Sequence, residues 1–304
     1  MTIRFRGGKL PAQPARPQLR LEDYVTPELP EPPSSVDWQT PVDAAGWPMY
    51  GNAEIGDCTF AEIGHHIQLV TKAATGTAVQ VSDSAVLTGY EAVSGYKPGD
   101  PSTDVGCRIA DVMDYWLKTG VGGHRIIAHA SIDPSNTKLV KQAIALFGGV
   151  SIGMNVPKSA EDQFNAGQPW DYVRGSRSLG GHCVLLGAYG PKSWKVITWA
   201  AEQEMTDLFY QHEVDEIRLP VTTEWFKDGK SPTGLDMQAM GADYAALTGR
   251  PNPFANVPPA PQPTPPPVPS PSPVDPRLVQ AAALTQQLDA LMTAWAHDNH
   301  VNGA

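Results

Sequence analysis

A proline-rich run near the C-terminus divides the chain and limits which residues can share one folded core. Residues 251–274 read PNPFANVPPAPQPTPPPVPSPSPV, a composition that favours an extended polyproline II spacer. Residues 1–34 are basic as far as Arg20 and rich in proline after it, so they cannot bury a core of their own. We therefore predict one folded unit over residues 35–250, preceded by an arm that is disordered or lies over a partner surface.

A single amphipathic helix is predicted beyond the linker, within residues 275–304. Asp275 is a suitable N-cap, and Pro276 suits the first helical position. One face of this helix is apolar and carries Leu284, Leu288, Leu291 and Trp295. A helix that follows a linker must bury such a face against something, so we predict self-association or docking to a partner through residues 275–298.

The bulk composition excludes several classes of partner. The 304 residues carry a net charge of −10, which argues against nucleic acid because phosphate binding needs a basic face. The N-terminus lacks the apolar core of a signal peptide, and no run approaches the roughly 18–20 apolar residues of a membrane helix. Three cysteines make a poor disulfide framework, which favours a reduced compartment. We expect no membrane partner, and a protein that is cytoplasmic or assembled into a larger particle.

The order of secondary-structure signals in the folded unit favours an α+β fold. Apolar periodicity predicts helices first and strands later, with only one late exception. The predicted helices cover 58–73, 107–119, 135–147 and 235–247, and the predicted strands cover 148–156, 182–190, 194–200 and 214–220. Such a segregated order indicates two lobes, one helical and one built on antiparallel strands, and not alternating βαβ units.

Cys58 lies in the stretch GNAEIGDCTFAEIGHH, residues 51–66. Asp57 is a candidate N-cap, which places Cys58 in the first helical turn, where the helix dipole stabilises a thiolate. The carboxylate of Asp57 is a like charge that opposes this effect. Free cysteines are also among the most buried residues, so these residues alone leave Cys58 as either a nucleophile or a structural thiol.

A second stretch, GGHCVLLGAYG at 180–190, places His182 behind two glycines and at the start of an apolar strand. Cys–His catalysis needs an imidazole within about 3 Å of the sulfur, close in space and not in sequence. His182 is the candidate for that imidazole, although an ordinary hydrogen-bonded core histidine fits the pattern equally well. Cys183 alternates with it along the strand and should point to the opposite face.

Four segments occur in an order that resembles the papain-like cysteine peptidases. They are SVDW at 35–38, NAEIGDCTFA at 52–61, VKQAIALFGGVSIGMNVPKSAEDQF followed by GGHCVLLGAYG, and SWKVITWA at 193–200. The resemblance covers roughly residues 36–220. It implies a two-lobed α+β fold with a helical first half and an antiparallel second half.

The resemblance also implies roles for individual residues. Cys58 would be the nucleophile and His182 the general base and acid. Asn52 stands where the family has the glutamine of the oxyanion hole, and its amide can donate the same hydrogen bond. If Thr198 and Trp199 match the family's Ser-Trp pair, the candidates to orient the imidazole are Thr198 or a carboxylate or backbone carbonyl elsewhere, and Trp199 is the candidate to shield it.

Several positions depart from the family pattern. Ile197 would occupy the place of the histidine-orienting asparagine and cannot form that hydrogen bond. Ile55 replaces a disulfide cysteine, so Cys107 lacks its usual kind of partner. Arg108 and Ile109 replace the glycine pair that binds substrate backbone. The N-terminal arm is shorter than the inhibitory prosegment of secreted members, so we do not expect activation by its removal.

No metal or other cofactor is predicted. The histidines and cysteines show neither C-x-x-C nor H-E-x-x-H spacing. His65 is about two turns along the helix from Cys58, too far for direct proton transfer, and a structural hydrogen bond is the better interpretation.

Taken together, these features predict a cysteine-dependent hydrolase, first of all a peptidase that acts on protein or peptide substrates through an acyl-enzyme at Cys58. The alternative is a catalytically inactive papain-like domain used for binding or structural assembly, for example in a phage particle. The departures at Ile197 and at Arg108–Ile109 favour the alternative.

Overall fold

A computed structural model describes residues 2–13, 20–21, 31–225 and 230–233. The linker 251–274, the C-terminal helix 275–298 and the helical candidate 235–247 lie outside the described residues. Within the described part of the chain, no helix is both long and apolar enough to span a membrane.

Three helices form the helical lobe. They are α1 (Cys58–Thr75), α2 (Asp83–Ser94) and α3 (Ile109–Lys118). Their apolar faces enclose a core that includes Phe60, Ile63, Tyr90, Met113 and Trp116. The predicted helices at 58–73 and 107–119 correspond to α1 and α3, whereas α2 was not predicted.

An antiparallel sheet forms the second lobe. Its strands are β1 (Val36–Asp37), β2 (Ile126–Ile132), β3 (Val150–Pro157), β4 (Ser178–Tyr189), β5 (Ser193–Thr198), β6 (Ala201–Thr206) and β7 (Val214–Thr222). The strand order is β2-β7-β3-β4-β5-β6, with β1 paired to β4. Three helices flank the sheet, α4 (Thr137–Phe147), α5 (Lys158–Asn165) and α6 (Asp207–Glu213). Short 3-10 helices cover Thr40–Ala45, Pro101–Thr103 and Thr223–Trp225.

The two-lobed α+β prediction is confirmed, with helices in the first half and antiparallel strands in the second. The predicted strands correspond to β3, β4, β5 and β7, although β4 begins four residues earlier than expected, at Ser178. The sequence AEQEMT of β6 was missed because it is largely polar. It forms a strand through its antiparallel register with β5, in which Val196 pairs with Gln203.

Helix α1 packs against strand β4 where the two lobes meet. Cys58 is the first residue of α1, and His182 lies in β4 opposite Met154 of β3. The two candidate catalytic residues therefore lie on neighbouring elements of the two lobes.

Candidate active site

Cys58 begins α1, but the helix start is not built as the sequence suggested. Asp57 occupies the N-cap position and Cys58 the first turn, as expected, but the Asp57 side chain does not cap the helix. Its φ and ψ of −87° and 12° depart from the extended conformation that capping residues adopt. Asp57 Oδ2 instead accepts a hydrogen bond from the Gly51 N–H at 2.9 Å. The carboxylate therefore closes the 51–57 loop that leads into the nucleophile position.

The Cys58 thiol is completely buried. Burial raises its pKa to about 12, and the neighbouring Asp57 carboxylate also acts upward. Hydrogen bonds from the backbone N–H groups of Cys183 and Gly8 act in the opposite direction and stabilise the thiolate. Because burial dominates, Cys58 is a neutral thiol in this arrangement.

His182 is held by the β5–β6 hairpin. Its Nε2 and Thr198 Oγ1 are hydrogen bonded at 2.8 Å, and its ring stacks on Trp199 with centroids 5.0 Å apart. The other ring nitrogen, Nδ1, is buried and has no hydrogen-bond partner among the described residues. Burial lowers the pKa of His182 to about 3, so the imidazole is neutral here, with one nitrogen fixed and the other unpartnered.

The two residues of the hairpin turn adopt an uncommon backbone conformation. Trp199 and Ala200 have φ values of 46° and 62°, in the left-handed region that costs a non-glycine residue roughly 1–2 kcal/mol. Such strain is retained where the surroundings demand it, and here it places the indole on His182. Ile197, at the place expected for an orienting asparagine, is buried in the sheet-lobe core, while Thr198 contacts the imidazole.

Asn52 lies in the turn before α1 and is 4% exposed. Its Oδ1 is buried without a hydrogen-bond partner in the described part of the chain. The same loop is fixed by Asp104, whose carboxylate accepts hydrogen bonds from the Gly56 N–H at 3.0 Å and from the Tyr90 hydroxyl. No sequence pattern indicates this role for Asp104, since its partners are distant in the chain.

The N-terminal segment formed by residues 3–10, here called the cleft segment, lies in the interlobe cleft. The Gly8 and Lys9 N–H groups donate to Gly181 O, each at 3.2 Å. On the opposite wall, the Cys107 N–H donates to Gly8 O at 2.7 Å, and the Leu10 N–H donates to Cys107 O at 2.8 Å. The cleft segment therefore bridges both lobes beside Cys58 and His182.

Side-chain contacts fix the same segment further along the cleft. The Phe5 ring meets His182 edge-on at a centroid distance of 5.6 Å, and the Phe5 N–H donates to Glu161 Oε1 at 2.6 Å. The Ile3 N–H donates to Asn165 Oδ1, also at 2.6 Å. These residues differ from the disordered or partner-bound arm expected from composition, because their contacts lie within this chain.

Position 8 must be glycine because the backbone on the two sides of the cleft lies too close for a side chain. A Cβ at Gly8 would lie 2.0 Å from Gly56 O, and one at Gly106 would lie 2.1 Å from Gly8 O. A Cβ at Gly181 would lie 2.3 Å from Lys9 O. The Gly7-Gly8 pair is the sequence feature that allows the cleft segment to pass between the lobes. Whether the segment fits there depends on the distance between the lobes, which only the folded structure defines.

Comparison with solved structures identifies the architecture. Xylellain, a cysteine protease from Xylella fastidiosa, is 15% identical, with a TM-score of 0.55 over 73% of this chain and 98% of that chain. The Carica candamarcensis cysteine protease CMS1MS2 is 15% identical with a TM-score of 0.46, covering 62% of this chain and 98% of its own. Procathepsin B from Trypanosoma congolense is 14% identical with a TM-score of 0.47, covering 71% and 86%. No protein-family model and no curated relative matches the sequence.

The chain has a papain-like fold. This assignment rests on xylellain, and at 15% identity it concerns the architecture alone. Within that fold, the candidate residues Cys58 and His182 lie on α1 and β4, on either side of the cleft.

His65, Cys107 and Cys183 are the other buried candidates of the papain-like fold. His65 Nε2 is hydrogen bonded to Pro48 O at 2.8 Å, and burial lowers its pKa to about 4. Cys107 and Cys183 are free and buried. Over the described ranges, no group of three or more His, Cys, Asp and Glu residues is arranged to hold a metal ion.

Proposed function

We propose that this protein is a cysteine peptidase in which Cys58 and His182 form the catalytic pair. The observation that carries the proposal is the state of the imidazole: Nε2 is fixed by Thr198, and Nδ1 is buried and unpartnered in the described structure. A general base needs this combination of an oriented ring and an available nitrogen. The papain-like fold supplies the matching thiol at the start of α1.

The chemistry would proceed through an acyl-enzyme. His182 Nδ1 takes the proton of Cys58, and the thiolate attacks the carbonyl carbon of a peptide bond. The oxyanion accepts hydrogen bonds from the Cys58 N–H, which has no acceptor within the helix, and from the side-chain amide of Asn52. The imidazolium then protonates the leaving amine, and water assisted by His182 releases the acyl group and regenerates the thiol.

With the cleft segment in place, the candidate active site is in a closed form. It occupies the groove that a substrate would enter, and its Gly8 N–H contacts the Cys58 sulfur. Burial raises the pKa of Cys58 to about 12 and lowers that of His182 to about 3, so the thiolate–imidazolium pair is disfavoured. We infer that displacing the cleft segment hydrates both groups and permits the ion pair.

One alternative function has support of its own. The same two pKa values, together with Ile197 in the apolar core, favour an inactive papain-like domain used for binding or assembly. In that case, displacement of the cleft segment would expose an ordinary thiol. The two functions therefore differ in the acidity of Cys58 once the cleft is open.

The test compares two single-methyl substitutions in the full chain. Gly8→Ala introduces the contact of 2.0 Å with Gly56 O, whereas in Gly7→Ala the nearest atom to the new Cβ is a Phe5 ring carbon at 3.3 Å. We expect iodoacetamide to modify Cys58 of Gly8→Ala well below pH 8, and Gly7→Ala to retain the slow labelling of the native chain. Peptide mapping locates the modified cysteine.

Two further measurements decide between the functions. Adding His182→Ala to Gly8→Ala should abolish the labelling below pH 8, and a peptide library should be cleaved only by the chain that retains His182. A Cys58 that reacts only near pH 8.5 after the cleft is opened, with no peptide cleaved, would overturn the peptidase proposal and favour the binding domain.

A further inference from the structure

A lysine of the cleft segment is buried in an acidic pocket close to the thiol. The Lys9 side chain is 2% exposed, and its Nζ lies 2.5 Å from Asp215 Oδ1 and 4.0 Å from Glu216 Oε2. Lysine is almost never buried to this degree without a charged partner. The pocket is therefore suited to a cation.

Three strands and one helix form the pocket. Gly153 of β3 is in register with Cys183 of β4 and with Glu216 of β7. A Cβ at Gly153 would lie 2.6 Å from Lys9 Cε and 3.0 Å from Ile109 Cδ1. The absence of a side chain at Gly153 thus leaves space for a long aliphatic stem between the lobes.

The charges of the pocket balance only when a cation occupies it. Glu216 is 7% exposed, and its Oε1 accepts hydrogen bonds from Arg218 Nε and Nη2, each at 3.2 Å. Arg218 thereby offsets one of the two acids, and Lys9 offsets the other. Glu216 Oε2 is buried without a hydrogen-bond partner among the described residues and is the atom nearest Lys9 on that side chain. An uncharged occupant would leave the pocket with one negative charge in excess, beside the buried and unpartnered Glu216 Oε2, which is unfavourable.

The position of the pocket connects it to the candidate catalytic pair. The Lys9 N–H donates to Gly181 O, one residue before His182, and the preceding Gly8 N–H contacts Cys58. A chain that follows the same groove past the thiol would place a side chain in this pocket. We propose that the pocket selects a lysine or arginine side chain of the peptide substrate; this rests on the peptidase function proposed above. Asp215 is 55% exposed, which leaves room at the mouth for the longer arginine.

Binding is measured first, because it does not require catalysis. The full chain carrying Gly8→Ala and Lys9→Ala is titrated, by fluorescence anisotropy, into fluorescein-labelled TIRFRGGKLPAQ, the sequence of residues 2–13. Variants of this peptide carry arginine, norleucine or glutamate in place of the lysine. We expect the lysine and arginine peptides to bind about 30-fold or more tightly than the norleucine peptide. Glutamate should bind most weakly.

Charge changes in the pocket provide the second measurement. Asp215→Asn should remove most of the preference, and Asp215→Lys should reverse it in favour of glutamate. Glu204→Gln is the matched control, since it removes one acid from an exposed position of β6 and should leave the preference intact. Equal binding of the lysine and norleucine peptides, or no binding of any peptide, would overturn the pocket assignment.

Cleavage separates this inference from the function on which it rests. Peptides that vary one residue among Lys, Arg, Leu and Glu are supplied to the same chain, and Cys58 labelling below pH 8 is measured in parallel. A labelled thiolate with cleavage that ignores the basic residue would contradict the pocket and preserve the peptidase. Selective peptide binding without a reactive thiolate would instead contradict the peptidase, and with it the substrate role of the pocket.

Discussion

The two walls of the cleft hold their candidate residues by different means. Around Cys58 the hydrogen-bond donors to the sulfur are backbone groups, the N–H groups of Gly8 and Cys183. Around His182 the contacts are made by side chains, the hydroxyl of Thr198 and the rings of Trp199 and Phe5. Only Gly8 and Phe5 belong to the cleft segment.

This difference separates the residues that control access to the Cys58 thiol from those that orient the His182 imidazole. The surroundings of Cys58 change when the cleft segment leaves, because its contacts depend on a backbone that passes within van der Waals distance of glycines. The fixed part of the His182 environment belongs to the β5–β6 hairpin and should persist. Substitutions that displace the cleft segment should therefore alter the reactivity of the Cys58 thiol. Substitutions in the β5–β6 hairpin should alter turnover.

The largest expected effect is on access to Cys58, in Gly181→Ala. The three atoms nearest to a Cβ at Gly181 all belong to Lys9, the closest being Lys9 O at 2.3 Å. The substitution should disfavour the closed form by a few kcal/mol and raise the rate of Cys58 alkylation at pH 7 by about 100-fold. A rate equal to that of the native chain would show that the cleft segment does not limit access to the thiol.

The next effect concerns orientation, in Thr198→Val, which replaces the hydroxyl by a methyl group of similar size. Loss of the hydrogen bond to His182 Nε2 should lower kcat/KM of the Gly8→Ala chain about tenfold or more, with KM little changed. Thr198→Ser should restore most of the activity. Alkylation at pH 9, where the thiol ionises without help, is expected to be the same in all three chains; a decrease there would indicate damage to the Cys58 wall instead.

The residues in these two predictions differ in how far the sequence alone could identify their roles. The glycine-led start of α1 and the apolar strand after Gly180-Gly181 marked Cys58 and His182 as candidates, and the resemblance to papain-like peptidases implied their roles. Thr198 was one of several candidates to orient the imidazole, and only the register of β4 with β5 brings it to Nε2. The capping role of Asp57 was wrong because a tertiary hydrogen bond to Gly51 competes with the local one. The insertion of Gly8 depends on distances between lobes that no local pattern encodes.

A smaller effect is expected in the pH dependence of stability. The pKa of His182 is about 3 in the folded chain and about 6.5 when unfolded, so the unfolded state binds more protons between these values. The contribution of His182 is therefore present above pH 6.5 and decreases as the pH falls towards 3, by at most about 1.4 kcal/mol per pH unit. His65 acts in the same direction. Asp57, whose pKa is raised to about 7 by burial, acts in the opposite one, since its protonated form is favoured by folding.

Urea titrations of the native chain and of His182→Phe isolate the single contribution, because His65 and Asp57 are common to both. The native chain should lose more stability than the variant between pH 6.5 and 4. If stability depended on pH in the same way in both chains, His182 would be exposed to solvent in the native chain, and the burial of its imidazole described above would be wrong.

The smallest expected effect is on stability, and it distinguishes the backbone strain at Trp199, which positions the indole, from the strain at Ala200, which positions no ring. Trp199 and Ala200 both have positive φ, but only Trp199 contacts His182. Ala200→Gly should relieve backbone strain without removing a ring contact and stabilise the protein by about 0.5–1 kcal/mol. Trp199→Gly relieves similar strain but leaves a cavity where a buried indole had packed, at a cost of about 3 kcal/mol or more. If both substitutions stabilised the protein in urea titrations, the indole would not be part of the wall that holds the imidazole, and the contrast between the two walls would disappear.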